Sequence, residues 1–575
     1  MNLFINYQKK ISNSLKDLER KKVIKFSKLI KKFNIEVPPK GQKGDLSCNI
    51  ALILASINKT SPMELANIIK KKLLDDIKEF ETIEVAGPGF LNISFKITFW
   101  NKYLKQVIKL GSSYGSFKLS KRKYNIEFVS ANPTGPLHVG HCRGAVLGDA
   151  LSNLLRFNGN KVTKEYYVND YGEQIKNFVF SVYYRILEIK ENKPFPNNKD
   201  LYPGDYIIEI ARKIIATKSI KNFKNLKKIH KKLNFLSLKY SMQLIVQNLN
   251  LLDIKHDSFV YESNLIKNKL VLKTVKKLKK NNFIYKGKLD APKGEQTKDW
   301  KKREQLLFKS TLFGDDIDRP LQKENGEWTY FAGDMAYHAN KISRKFDILI
   351  NILGADHSGY IKRIESATKA ISNNKVNLKC KVSQLVKLFK KGEPFKMSKR
   401  KGDYITINDL IKEVGKDSVR FMMLNRSNDV ELDFDFEKVT EKSKDNPVFY
   451  VQYAYARINS IFRTLNLDLK SSIKLKDDRF ILNEYEINIL KKIAEWPKCV
   501  ELSSTKFEPH RIPFYLYELV TLFHSYWNMG TENKEFRFIS ENNNLNSSRL
   551  ILLKALSIVI KNGMSILGVS TPSKM

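Results

Sequence analysis

Cysteine is sparse in this 575-residue chain: Cys48, Cys142, Cys380 and Cys499 stand far apart, and none belongs to a CxxC pair. Scattered lone thiols argue against a zinc ribbon and against a disulfide framework. No run approaches the ~18 to 20 apolar residues of a membrane span. A secretory leader is also missing, because "MNLFINYQKKISNSLKDLERKK" is broken by charge before an apolar segment can form. That stretch instead sets Phe4, Tyr7, Ile11, Leu15 and Leu18 at steps of three and four, one face of an amphipathic helix. No internal repeat is detectable. These absences leave a cytosolic enzyme, and the length predicts three or four domains rather than one core.

Acidic residues are few beside basic ones, 60 against 102, for a formal charge of +42. Lys/Arg clusters at 21–32, 70–72, 221–232, 267–280 and 390–401 would attract a phosphate backbone. The excess is nearly all lysine, with abundant Asn and Ile, so compositional drift over a solvated surface explains it equally well.

Residues 1 to about 110 mix helices with the strand-like "IEVAGPGFLNISF" and the turn-rich "VPPKGQKGDLSCN". From about 121 to 180 the order strand ("YNIEFV"), loop, helix, strand ("KVTKEYYVN") reads as a βαβ unit opening a parallel sheet. A polar, Lys-rich helical stretch from about 195 to 300 carries no chemical constellation and reads as an insertion. The apolar run Ile348–Leu353, interrupted only by Asn351, predicts a buried parallel strand ending in the loop "GADHSGY". From about 441 onward the pattern is helical, with aromatic stretches "FYVQYAYARINSIF" and "FYLYELVTLFHSYWN".

The loop "ANPTGPLHVGH" (131–141) sets two histidines three residues apart at a strand-to-helix turn. His138 and His141 would project from one side of the first helical turn, where unpaired N–H groups and the helix dipole favour phosphate oxygens. Gly140 has no Cβ, so a base or ribose could lie against the backbone. Two imidazole donors there suit charge that builds on a phosphate during reaction. Alone, such a string is as easily incidental. Far downstream, "FKMSKRKG" (395–402) places Lys396, Lys399 and Arg400 in a loop bounded by Gly392 and Gly402, able to close over a leaving pyrophosphate. Alone, it is another basic loop.

Taken in order, the HxGH string and the KMSKR string resemble the two signatures of class I aminoacyl-tRNA synthetases. Longer strings are similar to arginyl-tRNA synthetases of the bacterial type: "EFVSANPTGPLHVGHCRGAVLGDAL", "KEYYVNDYGEQI", "WTYFAGDMAYH", "LGADHSGY", "KMSKRKGDYITINDL", "DNPVFYVQYAYARI" and "GMSILGVSTPSKM". The resemblance covers nearly the whole chain and is weakest across 195–300. It implies a Rossmann-like parallel-sheet catalytic domain (111–440, with the signature-loop region at about 390–440). It also implies an α+β N-terminal domain (1–110) that contacts the tRNA elbow and an all-helical anticodon-binding domain (441–575).

The same resemblance implies site residues. Ser130, Ala131 and Asn132 would line arginine beside the first strand, with His141 near its amino or carboxylate end. Tyr330 and Asp334, a helical turn apart, would face the guanidinium, with His357 across the cleft and Glu127 a second carboxylate. A planar guanidinium with five donors suits bidentate reading by acidic and acceptor groups. ATP would lie on Pro136, His138, Gly140, His141, Gly354, Asp356, Lys396, Met397, Ser398 and Lys399. His138, Gly140, His141, Lys396 and Lys399 would do the chemistry, stabilising the α-phosphate and the departing β,γ-phosphates without a nucleophilic side chain. The first signature is HVGH here and Gly333 precedes the key aspartate; neither departure threatens a role.

The partners implied are L-arginine, ATP with Mg²⁺ and the tRNA for arginine, with no zinc, no resident metal, no organic cofactor and no membrane. The chain would act as a cytoplasmic monomer. Tyr450, Tyr453, Tyr455 and Arg457 could stack on anticodon bases, although at helical spacing most aromatics are core. The family usually binds tRNA before activating arginine, and no large editing domain is evident. Two readings from other classes stand beside this one. A small-molecule adenylyltransferase with the HxGH fold would be much shorter and lack the helical C-terminal part. A non-catalytic RNA-binding relative would not need both signatures.

Overall fold

The strand expected at Tyr124–Val129 forms at Lys123–Glu127 (β1) in a computed structural model that describes residues 2–26, 33–39, 41–117, 121–289, 303–395, 405–469, 482–539 and 547–575. It lies at the middle of a sheet with Lys161–Val168 (β2), Ser258–Tyr261 (β3), Ile348–Gly354 (β4) and Asn377–Ser383 (β5), in the order β5-β4-β1-β2-β3. All four pairings are parallel, so every connection is a crossover and helices cover the faces. Helix Val139–Phe157 (α1) joins β1 to β2. It packs so closely on the sheet that a Cβ at Gly148 would come 2.2 Å from the Phe128 ring.

The register sets Asn351 of β4, Glu127 of β1 and Glu165 of β2 side by side. Asn351 and Glu165 are buried, which costs several kcal/mol each unless partners are supplied. Helix Tyr330–Ser343 (α2) supplies them, as described below.

The stretch from about 195 to 300 is only partly an insertion. Helices Glu173–Glu191, Asp205–Ala216 and Leu226–Leu251 share a core of their own, including Phe178, Ile186, Ile210 and Leu233. The segment Ser258–Tyr261, however, completes the central sheet as its edge strand. Four half-buried residues after Lys-rich helices make no apolar run, so their strand character had no signature.

The unit built on this sheet spans 119–441 with 567–569, and a second compact unit combines 1–118 with 442–566 and 570–575. In the second unit, helix Leu3–Arg20 buries Phe4, Tyr7, Ile11, Leu15 and Leu18, the predicted face. It accompanies an antiparallel sheet of Ile35–Glu36, Leu46–Cys48, Phe90–Phe95 and Phe80–Ala86, in that order. Tyr114 ties the N-terminal segment to the C-terminal helices, donating to the Ile493 carbonyl (2.8 Å) and accepting at its own carbonyl from Trp496 Nε1 (3.0 Å). The two terminal parts thus pack against each other within one compact unit. Helix Ser547–Leu567 also corrects the expectation about apolar runs: it is long and apolar enough to cross a membrane. Its apolar window is 78% buried inside the protein, as for a core helix.

Candidate active site

The histidine turn is built from backbone upward. His138 is the N-cap of α1: its Nδ1 accepts from the Gly140 N–H (3.1 Å), while His141 Nδ1 accepts from the His138 N–H (3.3 Å). The pair forms a capping box with imidazoles in the usual hydroxyl and carboxylate places. With both Nδ1 atoms accepting, each ring carries its proton on Nε2. Burial, with His138 adding to it, pushes His141 down to about 3, so it is a neutral donor at physiological pH. Gly140 has a second reason beyond room for a nucleotide: a Cβ there would meet His138 Cε1 at 2.8 Å. Its hydrogen-bearing face keeps the His138 ring folded over the helix start.

Lys396, Met397, Ser398, Lys399 and Arg400 lie outside the described residues. The chain just beyond them does not. Ile405 accepts from the Val139 N–H (3.1 Å), Ile407 N–H donates to the Leu137 carbonyl (3.0 Å), and His138 bridges to Thr406. The downstream end of the basic loop is therefore anchored on the histidine turn.

Behind the turn lies an acidic floor. Helix α2 presents Asp334, Tyr337, His338 and Lys341, followed by Arg344, at steps of three and four. Arg344 holds Glu165 with two bonds (2.5 and 2.8 Å) and Tyr337 adds a third (2.7 Å). Lys341 Nζ donates to Glu127 Oε2 (2.5 Å) and Asn351 Oδ1 (2.9 Å), and Ser130 Oγ donates to Glu127 Oε1 (3.0 Å). Asp334 Oδ2 accepts from the Tyr360 hydroxyl (2.5 Å). Burial, reinforced by the Glu127 charge, pushes Asp334 up to about 6. Glu262 is pushed up to about 7, by burial and by Asp334 and Asp170. Tyr167 stands among these carboxylates and is held well above the ordinary phenol range by burial and by Glu262, Asp334, Glu127 and Asp170. Such a concentration of raised carboxyls invites a cationic ligand.

The "SAN" loop leaves β1 through left-handed backbone at Val129 and Ser130 (φ 69° and 38°). Strand β2 fixes it: Tyr167 N–H donates to Ser130 Oγ (3.0 Å) and the Tyr166 hydroxyl to the Ala131 carbonyl (2.8 Å). Asn132 is exposed and donates to Gln174 Oε1 (2.6 Å). Pro136 is half-buried in the same loop. Tyr330 is 80% exposed at the start of α2, a turn from Asp334. After β4, Gly354, Asp356 and His357 are exposed, and His357 Nε2 lies 3.5 Å from Asp356 Oδ2. His357 therefore reaches Asp356, whereas Tyr360 is the residue of that loop that reaches Asp334. Among the described residues no group of three His, Cys, Asp or Glu could hold a metal ion.

In helix Pro447–Thr464, Arg457 stacks over Tyr453 (4.2 Å) and contacts His524 Nδ1 (3.1 Å), while the Tyr450 ring lies 4.2 Å from His524. Tyr455 is buried core, which corrects its candidacy for base stacking. Sequence reasoning missed Lys341, Tyr360, Glu262, Asp170 and Tyr167. The stripe of polar residues at helical spacing in "YFAGDMAYHANKISR" was the available signal for Lys341; Glu262 had none.

A sheet of this order, with a capped histidine turn after its central strand and Ile405–Ile407 bonded to that turn, defines a class I aminoacyl-tRNA synthetase catalytic domain. The family model "tRNA synthetases class I (R), catalytic domain" matches residues 104–462. It is flanked by matches to "Arginyl tRNA synthetase N terminal domain" at 6–95 and "DALR anticodon binding domain" at 451–575. The chain belongs to the arginyl-tRNA synthetase family. It is 54% identical over 577 residues to the arginine–tRNA ligase of Pelagibacter ubique and 44% identical over 589 residues to that of Bartonella bacilliformis, with 100% of both chains covered in each case. Its fold is similar to Thermus thermophilus arginyl-tRNA synthetase (TM-score 0.71, 18% identity, all of both chains covered).

Proposed function

We propose that this chain is an arginine–tRNA ligase acting in two steps. The arginine carboxylate attacks the α-phosphorus of ATP, giving arginyl-adenylate and releasing pyrophosphate, with Mg²⁺ entering as part of the ATP complex. The 2′-hydroxyl of the terminal adenosine of its tRNA then attacks the arginyl carbonyl and AMP leaves. The observation that carries this reading is the half-buried pair Asp334 and Glu127, the first raised by the charge of the second, at the start of α2 and the end of β1. Two carboxylates in a desolvated floor match one planar cation.

In this reading Asp334, Glu127 and Tyr330 face the guanidinium, with His357 at the rim. Ser130, Ala131 and Asn132 hold the amino-acid end. The Nε2–H groups of His138 and His141, neutral and fixed by the capping box, donate to the α-phosphate as its charge grows. Pro136, Gly140, Gly354, Asp356, Met397 and Ser398 line the nucleotide, and Lys396 and Lys399 neutralise the pyrophosphate. Unpaired acceptors left by lysine or ornithine in such a site discriminate without proofreading. Residues 1–110 and the helical part 441–575, with Tyr450, Tyr453 and Arg457, contact the tRNA, and 111–440 carry the chemistry. The enzyme works in the cytoplasm as a monomer. ATP–pyrophosphate exchange tests the reading: it should require arginine and, as a further condition, the tRNA. Robust exchange driven by another amino acid would overturn the substrate assignment.

A further inference from the structure

Lys341 is an unusual side chain to find in this place. It is fully buried, carried on the same face of α2 as Asp334, and its ammonium ends at the centre of the sheet rather than in solvent. A buried ammonium persists only where partners replace its water shell. Here they are Glu127 Oε2 at 2.5 Å and Asn351 Oδ1 at 2.9 Å, with the Tyr337 ring 4.5 Å away. Asn351 in turn bonds His338 (Nδ2 to Nε2, 3.0 Å), and His338 Nδ1 donates to the carbonyl of Asp334 itself (2.9 Å). Burial, with the Lys341 charge beside it, pushes His338 down to about 3, so this link is neutral. One cation thus touches the carboxylate of Glu127 and is tied through two neutral side chains to the backbone of Asp334.

We propose that Lys341 is a positioning residue for amino-acid recognition, holding the Glu127 carboxylate in place and balancing the negative charge of the Glu127–Asp334 pair so that both can meet the guanidinium. This rests on the arginine reading given above. The alternative, that Lys341 only fills the core, does not explain why a charge was placed there: a methionine would fill the same volume without desolvating an ammonium. Nor is the cation needed by Glu165, which Arg344 and Tyr337 already satisfy.

The groups around the pair set the sign of the pH effect. Asp334 is raised by burial and by Glu127, and is lowered by the Tyr360 hydrogen bond and by Lys341. Glu262 and Asp170 face the same space from beyond β2 and β3, with Tyr167 between. Cys380 on β5 also senses Lys341, although burial holds its thiol up at about 12 and out of the relevant range. Below about pH 6 Asp334 gains a proton and loses its hold on arginine, so kcat/KM for arginine should fall on the acid side. The apparent value belongs to the Asp334–Glu262 pair jointly. Removing Lys341 removes a lowering influence, so the acid limb must move to higher pH.

The test is steady-state charging of the full chain at saturating tRNA, from about pH 5 to 8, for Lys341→Met in two backgrounds. With Glu127 present, KM for arginine should rise about tenfold or more while KM for ATP stays within about twofold, and the acid limb should move to higher pH. Because an unpaired Glu127 could impair folding, the same change is also made on Glu127→Gln. Comparing E127Q with E127Q/K341M isolates the Lys341 charge, and the limb should again move up. A limb that stands still in both backgrounds, or a KM for ATP that rises in step with that for arginine, would overturn the proposal. If the unsubstituted chain shows no arginine-dependent charging, it is the underlying substrate reading that fails.

Discussion

Asp334→Asn is the substitution that separates charge from shape in the acidic floor. The side chain is half-buried and its Oδ2 accepts from Tyr360 at 2.5 Å, so an amide of the same size keeps the packing and leaves no cavity. Only the charge is lost. With the carboxyl at about 6, Asp334 is mostly ionised at pH 7, so the native enzyme forfeits little to protonation there. A charge-assisted hydrogen bond removed from a desolvated site costs about 2 to 4 kcal/mol. At about 1.4 kcal/mol per tenfold, KM for arginine should rise about 30- to 700-fold, with KM for ATP nearly unchanged. The pH profile supplies a second, independent sign. Burial and, after it, the Asp334 charge raise Glu262 to about 7, so an uncharged amide lets Glu262 fall back, and the acid limb should move to lower pH. Charging kinetics at saturating tRNA, with arginine varied at several pH values, read both effects. A KM for arginine within about threefold of the native value, or equal damage to both KM values, would refute the assignment of Asp334 to the guanidinium.

Two substitutions at His138 distinguish its cap from its chemistry. His138→Ala should lower stability by about 1 kcal/mol and abolish rapid adenylate formation, while His138→Asn, a good N-cap, should restore the melting temperature but not the rate; single-turnover kinetics beside thermal melts would show it. Arg420→Met leaves Asp149 with Lys164 and Asn153 only and strips the Leu567 and Leu252 carbonyls of their buried donor. Denaturant unfolding should show a loss of about 3 to 5 kcal/mol, and a loss under about 1 would mean that the network is not structural. Lys399→Ala should depress adenylate formation far more than tRNA affinity, read by single-turnover kinetics and filter binding; the reverse would make "KMSKR" another basic surface loop.

What the sequence revealed depended on whether a residue's reason was local. The helix Leu3–Arg20 and strand β4 were legible because burial imposes a period of 3.6 in one and an apolar run broken only at Asn351 in the other. The histidine turn was legible as a helix start, but not as a capping box, since imidazoles are uncommon caps. Strand β3 was hidden, because four half-buried residues at a sheet edge carry neither pattern. The site residues divide in the same way. Asp334 and Glu127 were named by resemblance, whereas Lys341 and Glu262 acquire meaning only from partners 214 and 72 positions away in the chain, across the sheet. Asn351 was noticed as an interruption of an apolar run, and the register explains it: it sits beside Glu127 and shares its lysine. The assignment of His357 to the guanidinium gained no contact, while Tyr360, three residues further on, did.

The central claim, that this acidic floor and histidine turn select arginine and join it to tRNA, is tested most directly by charging total tRNA with each of the twenty labelled amino acids in the presence of ATP and Mg²⁺. Arginine alone should give acid-precipitable label, and Asp334→Asn should remove it at low arginine concentration. Label from lysine or any other amino acid at a comparable rate, or no charging with arginine by the native chain, would contradict the account.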